Sequence, residues 1–416
     1  TVPFKFGKVV PLSINMTQPN EGEWIINEES RTKTWRFKVV SKEAHSISIH
    51  FSDFHLAPLS ELYVIGREDN LGAFTATNNN KDDRSFAVAP VAGDFLILEY
   101  IEPILPCDHP LYNYGQVSAI TVSHIVHGFR PSPFSMKAAN LAGKCNINVA
   151  CNEGAGKTDA INSVALLING KGDSFCTGAM VNNVQKDGRQ LFLTAEHCIG
   201  DSDVKNFMIG FHYQFKYCNS MFETKPQTNT VHGTKLLDKS GVSDYALLEV
   251  VESIPDSWDV FMAGWDATDT TSRSGSFYGI HHPSGDTKKV SLFSGRLDLV
   301  RLTDMGKGVN YWQVPKWDKG VTEPGSSGSP LFDSTGNVIG HLLGGESSCS
   351  RPNGPDYYGA LGRDWVVSGN PITRHLNPNN VNIFKVQGAP LKQLRERPDS
   401  DSTTTTPVVT ETATIA

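Results

Sequence analysis

Three short stretches of this chain hold side chains that together could transfer an acyl group. Leu193-Thr194-Ala195-Glu196-His197-Cys198 ends an apolar run in a histidine beside a cysteine, and Ser243-Asp244-Tyr245-Ala246-Leu247 leads an aspartate into a second apolar run. Gly325-Ser326-Ser327-Gly328-Ser329-Pro330 sets a serine among glycines. A serine hydroxyl is a weak nucleophile until a neighbouring base removes its proton. Imidazole, with an ordinary pKa of about 6.5, is mostly neutral at pH 7 and suits that task. A buried carboxylate then fixes the ring tautomer and stabilises the imidazolium that forms. Ser327, His197 and Asp244 supply these groups. The backbone N–H groups of Gly325 and Ser327 would meet a developing oxyanion, a contribution of roughly 3–4 kcal/mol per donor. Each stretch alone has a plainer reading, as a structural histidine, a turn aspartate or a Gly-Ser loop. Their combination points to acyl transfer, and the chain order His, Asp, Ser separates it from the subtilisin and α/β-hydrolase arrangements.

The elements that must position these groups read as β. Trp35-Arg36-Phe37-Lys38-Val39 and Ser46-Ile47-Ser48-Ile49-His50-Phe51 alternate as strands with one buried face. Leu62–Ile65 and Phe95–Leu98 are short apolar runs bounded by turn residues, so the first third of the chain is expected to form a sandwich or small barrel. Its histidines His45, His50 and His55 are expected at the surface or a strand edge. Turn-forming residues from Pro131 to Lys137 mark a boundary. Beyond it, from Cys145 to about Gly388, come many short strands and one expected helix around Ile372–Leu376. The end of the chain, including Ser402-Thr403-Thr404-Thr405-Thr406-Pro407, has too few large apolar groups to offset its ordering entropy and reads as a linker or glycosylated stalk.

Bulk properties bound the function. The 416 residues are 39% hydrophobic and 19% charged, ordinary for folded domains, and the net charge of -7 offers phosphate no electrostatic partner. No apolar run is long enough to span a bilayer. The chain starts at Thr1 with neither Met nor an apolar leader, which reads as a processed or trimmed product. Of seven cysteines, Cys107 stands apart, and the other six (Cys145, Cys151, Cys176, Cys198, Cys218, Cys349) form no paired CxxC clusters. Three disulfides and a spare thiol are expected, and with them an oxidising, extracellular compartment. Asn15-Met16-Thr17 is a glycosylation sequon that adds little.

The motifs resemble the trypsin-like superfamily, and more closely the bacterial lysyl endopeptidases. The likeness rests on Cys145-Asn146-Ile147, Thr194-Ala195-Glu196-His197-Cys198, Ala263-Gly264-Trp265-Asp266, Ile280-His281-His282-Pro283, the run Val321 to Pro330, and Gly344-Gly345-Glu346-Ser347-Ser348-Cys349. The segment before Cys145 more weakly resembles the pro-region of the same secreted peptidases. The resemblance implies a trypsin-like double six-stranded barrel over 138–389 and a pro-segment before it, and with the strand pattern and composition above the expectation is an all-β fold with a β-sandwich-like amino-terminal domain or pro-segment over 1–137 and a Thr-rich disordered tail over 390–416. The resemblance also implies disulfides Cys145–Cys349, Cys151–Cys218 and Cys176–Cys198.

Trypsin's basic-residue selector falls at Val321 here and is missing. The family's own selecting aspartate matches Asp356, a carboxylate whose burial would be offset when a Lys or Arg chain enters. Glu323 is expected to line the same pocket, and Leu343, Gly344 and Gly345 to face substrate. Leu343 stands where the family has histidine, which weakens strict lysine choice and admits arginine. Ser326 replaces the aspartate that receives trypsin's new amino terminus, so activation by that ion pair is not expected. His281-His282 reads as a structural segment rather than a metal site. The implied activity is a secreted, monomeric endopeptidase acting on polypeptides, cleaving after lysine, with no metal or organic cofactor. The rival readings are a peptidase of other preference and a catalytically silent homologue used as a binding module. Cleavage after Lys137 would release the first domain.

Overall fold

The alternation in the first domain becomes strands Thr32–Val40 and Ser46–His55 in the computed structural model, and the apolar runs become Glu61–Ile65 and Phe95–Pro103. The structure describes residues 3–18, 21–67, 70–112, 118–131, 141–201, 203–219, 229–302, 310–366 and 372–396. Two sheets stack around one apolar core that includes Trp35, Ile49, Phe54, Leu62, Phe86 and Leu98. One sheet orders Gly7–Asn15, Ala119–Gly128, Ser46–His55 and Phe86–Ala92. The other orders Glu23–Asn27, Thr32–Val40, Phe95–Pro103, Glu61–Ile65 and Asn70–Thr75. This is the expected sandwich.

One expectation about it fails. Ser46–Phe51 is buried at every position, and His50 is only 1% exposed rather than at an edge. The outer face of its sheet docks on the next unit. A side chain at Gly172 would meet the His50 ring at 2.6 Å, and Phe6, Ala87 and Ala89 join Leu166, Ile168, Phe175, Met208 and Tyr213 in a shared apolar cluster. Phe4–Lys5 pairs with Phe175 and Ser174, adding an edge strand to that unit. His45 and His55 are half-buried.

Two curved sheets follow. The first runs Asn229–His232, Met208–Phe211, Val164–Ile168, Ser174–Val181, Leu191–Ala195, Tyr245–Val250 and Thr234–Ser240, with no pairing that closes it among the described residues. The second is a closed ring of six: Pro330–Phe332, Ser272–His281, Lys289–Arg301, Asn310–Val314, Asp356–Ala360 and Asn337–Gly345, the last pairing back to the first. The expected pair of barrels is therefore one closed barrel and one half-barrel. Val164, Leu193, Tyr245, Trp265, Ile280 and Val338 pack the seam between them. The expected helix is present as Ile372–Leu376.

Residues expected to open the disordered segment are ordered. Leu391–Arg395 is a short helix whose Leu391 and Leu394 are buried in the half-barrel core, and Arg395 donates to the Ile254 carbonyl and Asp256. The apolar pair and the arginine anchor residues that composition alone assigns to the Thr-rich segment. Lys137 and the tail beyond residue 396 lie outside the described residues. Among the described residues no helix is long and apolar enough to cross a membrane.

The buried His50 makes the fold acid-sensitive. Burial, with nearby His124 and His232 adding, pushes its pKa down to about 3. The unfolded chain begins to take up this proton near the ordinary histidine value of 6.5, while folded His50 resists until about 3. Its contribution to stability is thus complete above pH 6.5 and falls as pH drops through that window, by at most about 1.4 kcal/mol per pH unit. Denaturant midpoints measured from pH 7 to 4 should fall, and His50→Gln should flatten the slope. An unchanged slope in that variant would remove His50 from the account.

Candidate active site

His197 and Asp244 are delivered by neighbouring strands. Leu191–Ala195 pairs with Tyr245–Val250, setting Ala195 opposite Tyr245, so the residues just outside each strand meet. His197 sits on the one-turn helix Glu196–Ile199 that follows, and Cys198 in the same turn is bonded to Cys176. Asp244 is fully buried and takes φ +66°, a conformation aspartate tolerates better than most side chains. Its backbone carbonyl accepts from Glu196 N–H at 2.7 Å. Its carboxylate accepts twice from His197, at 3.1 Å from the backbone N–H and at 2.8 Å from Nδ1. The carboxylate thereby makes Nδ1 the protonated nitrogen and leaves Nε2 as the acceptor. Nε2 is buried without a hydrogen-bond partner among the described residues. Behind Asp244, Tyr311 donates to the Val242 carbonyl at 2.7 Å, and a buried His341–Asp364 pair lies at 3.0 Å.

Ser327 enters from the closed barrel, in the loop before Pro330–Phe332, and is held from the half-barrel by Thr177. The Thr177 backbone N–H donates to the Ser327 carbonyl at 2.9 Å, and its hydroxyl donates to the Gly325 carbonyl at 2.9 Å. The same hydroxyl accepts from His282 N–H at 3.1 Å, and the Thr177 carbonyl accepts from the Thr194 hydroxyl at 2.8 Å. Gly328, at φ +78°, presses against this seam: a Cβ there would lie 2.5 Å from the Thr177 carbonyl and 2.7 Å from Ala195 N. Only glycine permits that approach, which brings the serine loop onto the strand end that carries His197. Gly325 has φ +97°, and Gly328 N–H reaches across to the Leu342 carbonyl at 2.8 Å.

Asp356 is fully buried at the start of Asp356–Ala360. Its Oδ2 accepts from Trp317 Nε1 at 2.7 Å, the Thr322 hydroxyl at 2.9 Å and the Ser347 hydroxyl at 2.6 Å. Oδ1 has a single long contact, 3.4 Å from Ser347 N–H, and faces Gly345, where a Cβ would stand 2.2 Å away. Gly344 and Gly345 pair with Tyr357 and Asp356, and Leu343 falls in the bulge just before them, 8% exposed. Val321, at trypsin's selector position, is buried. Glu323 is engaged elsewhere than expected. Its carboxylate accepts from Gly143 N–H at 3.1 Å and the Ser284 hydroxyl at 3.4 Å, which ties it to the segment before Cys145 instead of to the groups around Asp356. A cavity of about 590 Å3, lined by Lys157, Tyr278, Thr335 and Gly388 among others, includes none of these residues.

Thr177, Trp317, Thr322 and Ser347 escaped the sequence reading. Thr322 lay inside the Val321–Pro330 run, but nothing in one sequence marks a lone buried threonine or serine as a hydrogen-bond hub. Cys145–Cys349, Cys151–Cys218 and Cys176–Cys198 are bonded, and Cys107 is free and exposed. Among the described residues no group of three His, Cys, Asp or Glu is arranged to hold a metal ion.

The family profile of the lysyl endopeptidase C-terminal domain matches residues 139–359. A lysyl endopeptidase of Pseudomonas aeruginosa is 31% identical over 359 residues, covering 81% of this chain and 74% of that protein. Among solved structures, an HtrA-type protease, AlgW with tripeptide, overlays at TM-score 0.36 and 17% identity, over 50% of this chain and 60% of that one. A serine endoprotease from Yersinia pestis overlays at TM-score 0.33 and 15% identity, over 52% of this chain and 68% of that one. The overlays are too loose to add to what the first two matches establish: the chain belongs to the lysyl endopeptidase family of serine endopeptidases.

Proposed function

We propose that the protein hydrolyses peptide bonds after lysine, with Ser327 as nucleophile, His197 as base and Asp244 as the group that orients and stabilises it. The observation that carries this reading is the doubly bonded His197–Asp244 pair, with Nε2 left without a partner and the serine loop packed at Gly328 on the strand end that leads to His197. Nε2 takes the Ser327 proton as the hydroxyl attacks the scissile carbonyl. The oxyanion that forms is met by the N–H groups of Gly325 and Ser327. His197 then hands its proton to the leaving amine, and water repeats the sequence on the acyl-serine. Ser327→Ala should lower kcat on a lysyl amide by roughly a millionfold while the unfolding midpoint stays put, and His197→Ala combined with it should lose little more. Turnover by purified Ser327→Ala within tenfold of wild type would contradict the assignment.

Lysine preference is attributed to Asp356. Three donors hold its Oδ2, while Oδ1 points at Gly345 with one weak contact, the side from which an ammonium would approach. Pairing with that ammonium offsets the cost of a buried carboxylate. Asp356→Asn should reduce kcat/KM for lysyl substrates by about 100-fold or more, as expected for breaking a buried pair, and for apolar substrates far less. An equal loss on both would make Asp356 structural. Leu343 in place of the family's histidine leaves arginine as an accepted, weaker substrate.

The three disulfides support an extracellular site of action. Residues 1–137 are assigned as a folding-assisting pro-segment cut after Lys137. The apolar cluster shared by Phe6, Ala87 and Ala89 with Phe175 and Leu166 supports a templating role, because folding of distant strand pairs is slow. Amino-terminal sequencing of the secreted active enzyme should give a start at Ala138. A start near Thr1 would defeat this assignment.

A further inference from the structure

Ser326 lies between the two residues whose N–H groups are assigned to the oxyanion, and its side chain points away from them into the closed barrel. There it begins a buried polar chain. Ser326 Oγ is 2.8 Å from His281 Nδ1, and His281 Nε2 is 3.0 Å from Ser291 Oγ. Ser291 Oγ is 2.8 Å from the Val321 carbonyl, and Glu323 N–H donates to Ser326 Oγ at 3.2 Å. Ser326, His281 and Ser291 are all fully buried. The three come from different elements: the serine loop, the end of Ser272–His281, and the adjacent strand Lys289–Arg301.

Counting hydrogens gives the chain one direction. A carbonyl only accepts, so the single Ser291 hydroxyl proton goes to Val321, and Ser291 Oγ must accept from His281. Nε2 therefore carries the His281 proton. Burial, with Lys289 adding, pushes the His281 pKa down to about 3, so the ring is neutral and Nδ1 is an acceptor. The Ser326 hydroxyl accordingly donates to Nδ1 while its oxygen accepts from Glu323 N–H. A second bond, Ser326 N–H to the Glu323 carbonyl at 3.0 Å, closes the turn. Every donor and acceptor in the chain is matched by one tautomer, and protonation of His281 would break it.

We infer that His281 is a positioning residue for the nucleophile loop: as the Nε2–H tautomer it holds the Ser326 hydroxyl, and through it the peptide groups of Gly325 and Ser327. This rests on the acyl-transfer reading above. The arrangement does with neutral groups what trypsin does with an aspartate and a freed amino terminus at this loop position. The loop is thus assembled by the barrel itself, independently of any amino-terminal charge.

The test compares wild type, Ser326→Ala and Ser291→Ala, each checked for an unchanged cooperative unfolding transition. Three quantities are measured: kcat and KM on a lysyl amide, affinity for a lysyl boronate that becomes tetrahedral on serine, and affinity for a lysine product that does not. Ser326→Ala should lose about 100-fold in kcat, the scale of one oxyanion donor, and a similar factor in boronate affinity. Its KM and product affinity should stay within about threefold. Ser291→Ala, which frees the His281 tautomer while leaving the loop sequence intact, should show the same pattern at about tenfold. If Ser326→Ala misfolds, the Ser291→Ala result decides. Boronate and product affinities falling together, or kcat within twofold of wild type in the folded variants, overturns the inference. An inactive wild type would instead overturn the acyl-transfer reading itself.

Discussion

Thr177 is the contact on which the site depends, because it is where the two barrels agree on the position of the serine. One buried side chain and its own peptide groups bind Ser327, Gly325, His282 and Thr194 at once. These partners sit on three segments: Ser327 and Gly325 on the serine loop, His282 on the turn after Ser272–His281, and Thr194 on the strand that leads to His197. Loss of any one would strand a buried donor or acceptor at a cost of about 1–3 kcal/mol. Register between Ser327 and His197 is thus coupled to the stability of the seam.

The half-barrel supplies His197 and Asp244 and the closed barrel supplies Ser327 and Asp356, so neither sheet holds a complete site. Gly328 allows the joint. A methyl group there would overlap the Thr177 carbonyl and the Ala195 backbone, wedging the serine loop off the histidine strand. Cys176–Cys198 joins the strand bearing Thr177 to the turn bearing His197. The turn bearing His197 is therefore anchored covalently to the same strand that holds Ser327. On the specificity side, Gly345 has the matching role, since only its missing side chain leaves room beside Asp356 Oδ1.

Much of this was legible in the sequence, and the rest was not, for physical reasons. Period-two alternation found the sandwich strands, because a strand with one covered face writes its environment into every second residue. His50 was misplaced for the same reason: the face it occupies reads as exposed until a second domain covers it. Short motifs, a serine among glycines and a histidine and an aspartate each beside an apolar run, marked Ser327, His197 and Asp244 as candidates, since reactive side chains at strand ends leave compact signatures. Asp356 came from likeness alone, and Glu323, chosen by nearness in sequence, proved to face Gly143. In the supporting shell, His281 and Ser347 lay inside runs that marked the resemblance but showed no role there, and Thr177, Ser291 and Trp317 had no signature. Such residues are defined by partners far away in the chain, and their types are common. Leu391–Arg395 was absorbed into the tail because two leucines among polar residues are too few to register until a core receives them.

The central claim is that the two barrels bring Ser327 to His197 within reach of a lysine bound at Asp356. A phosphonate ester carrying a lysine-like side chain tests all three parts in one step, because it reacts only with an activated nucleophile and only when the side chain is seated. Mass spectrometry of the digested adduct should place one label per chain on the peptide containing Ser327, with labelling slowed strongly when a phenylalanine-like side chain replaces the lysine-like one. A label on another residue, or equal rates for the two reagents, would contradict the account.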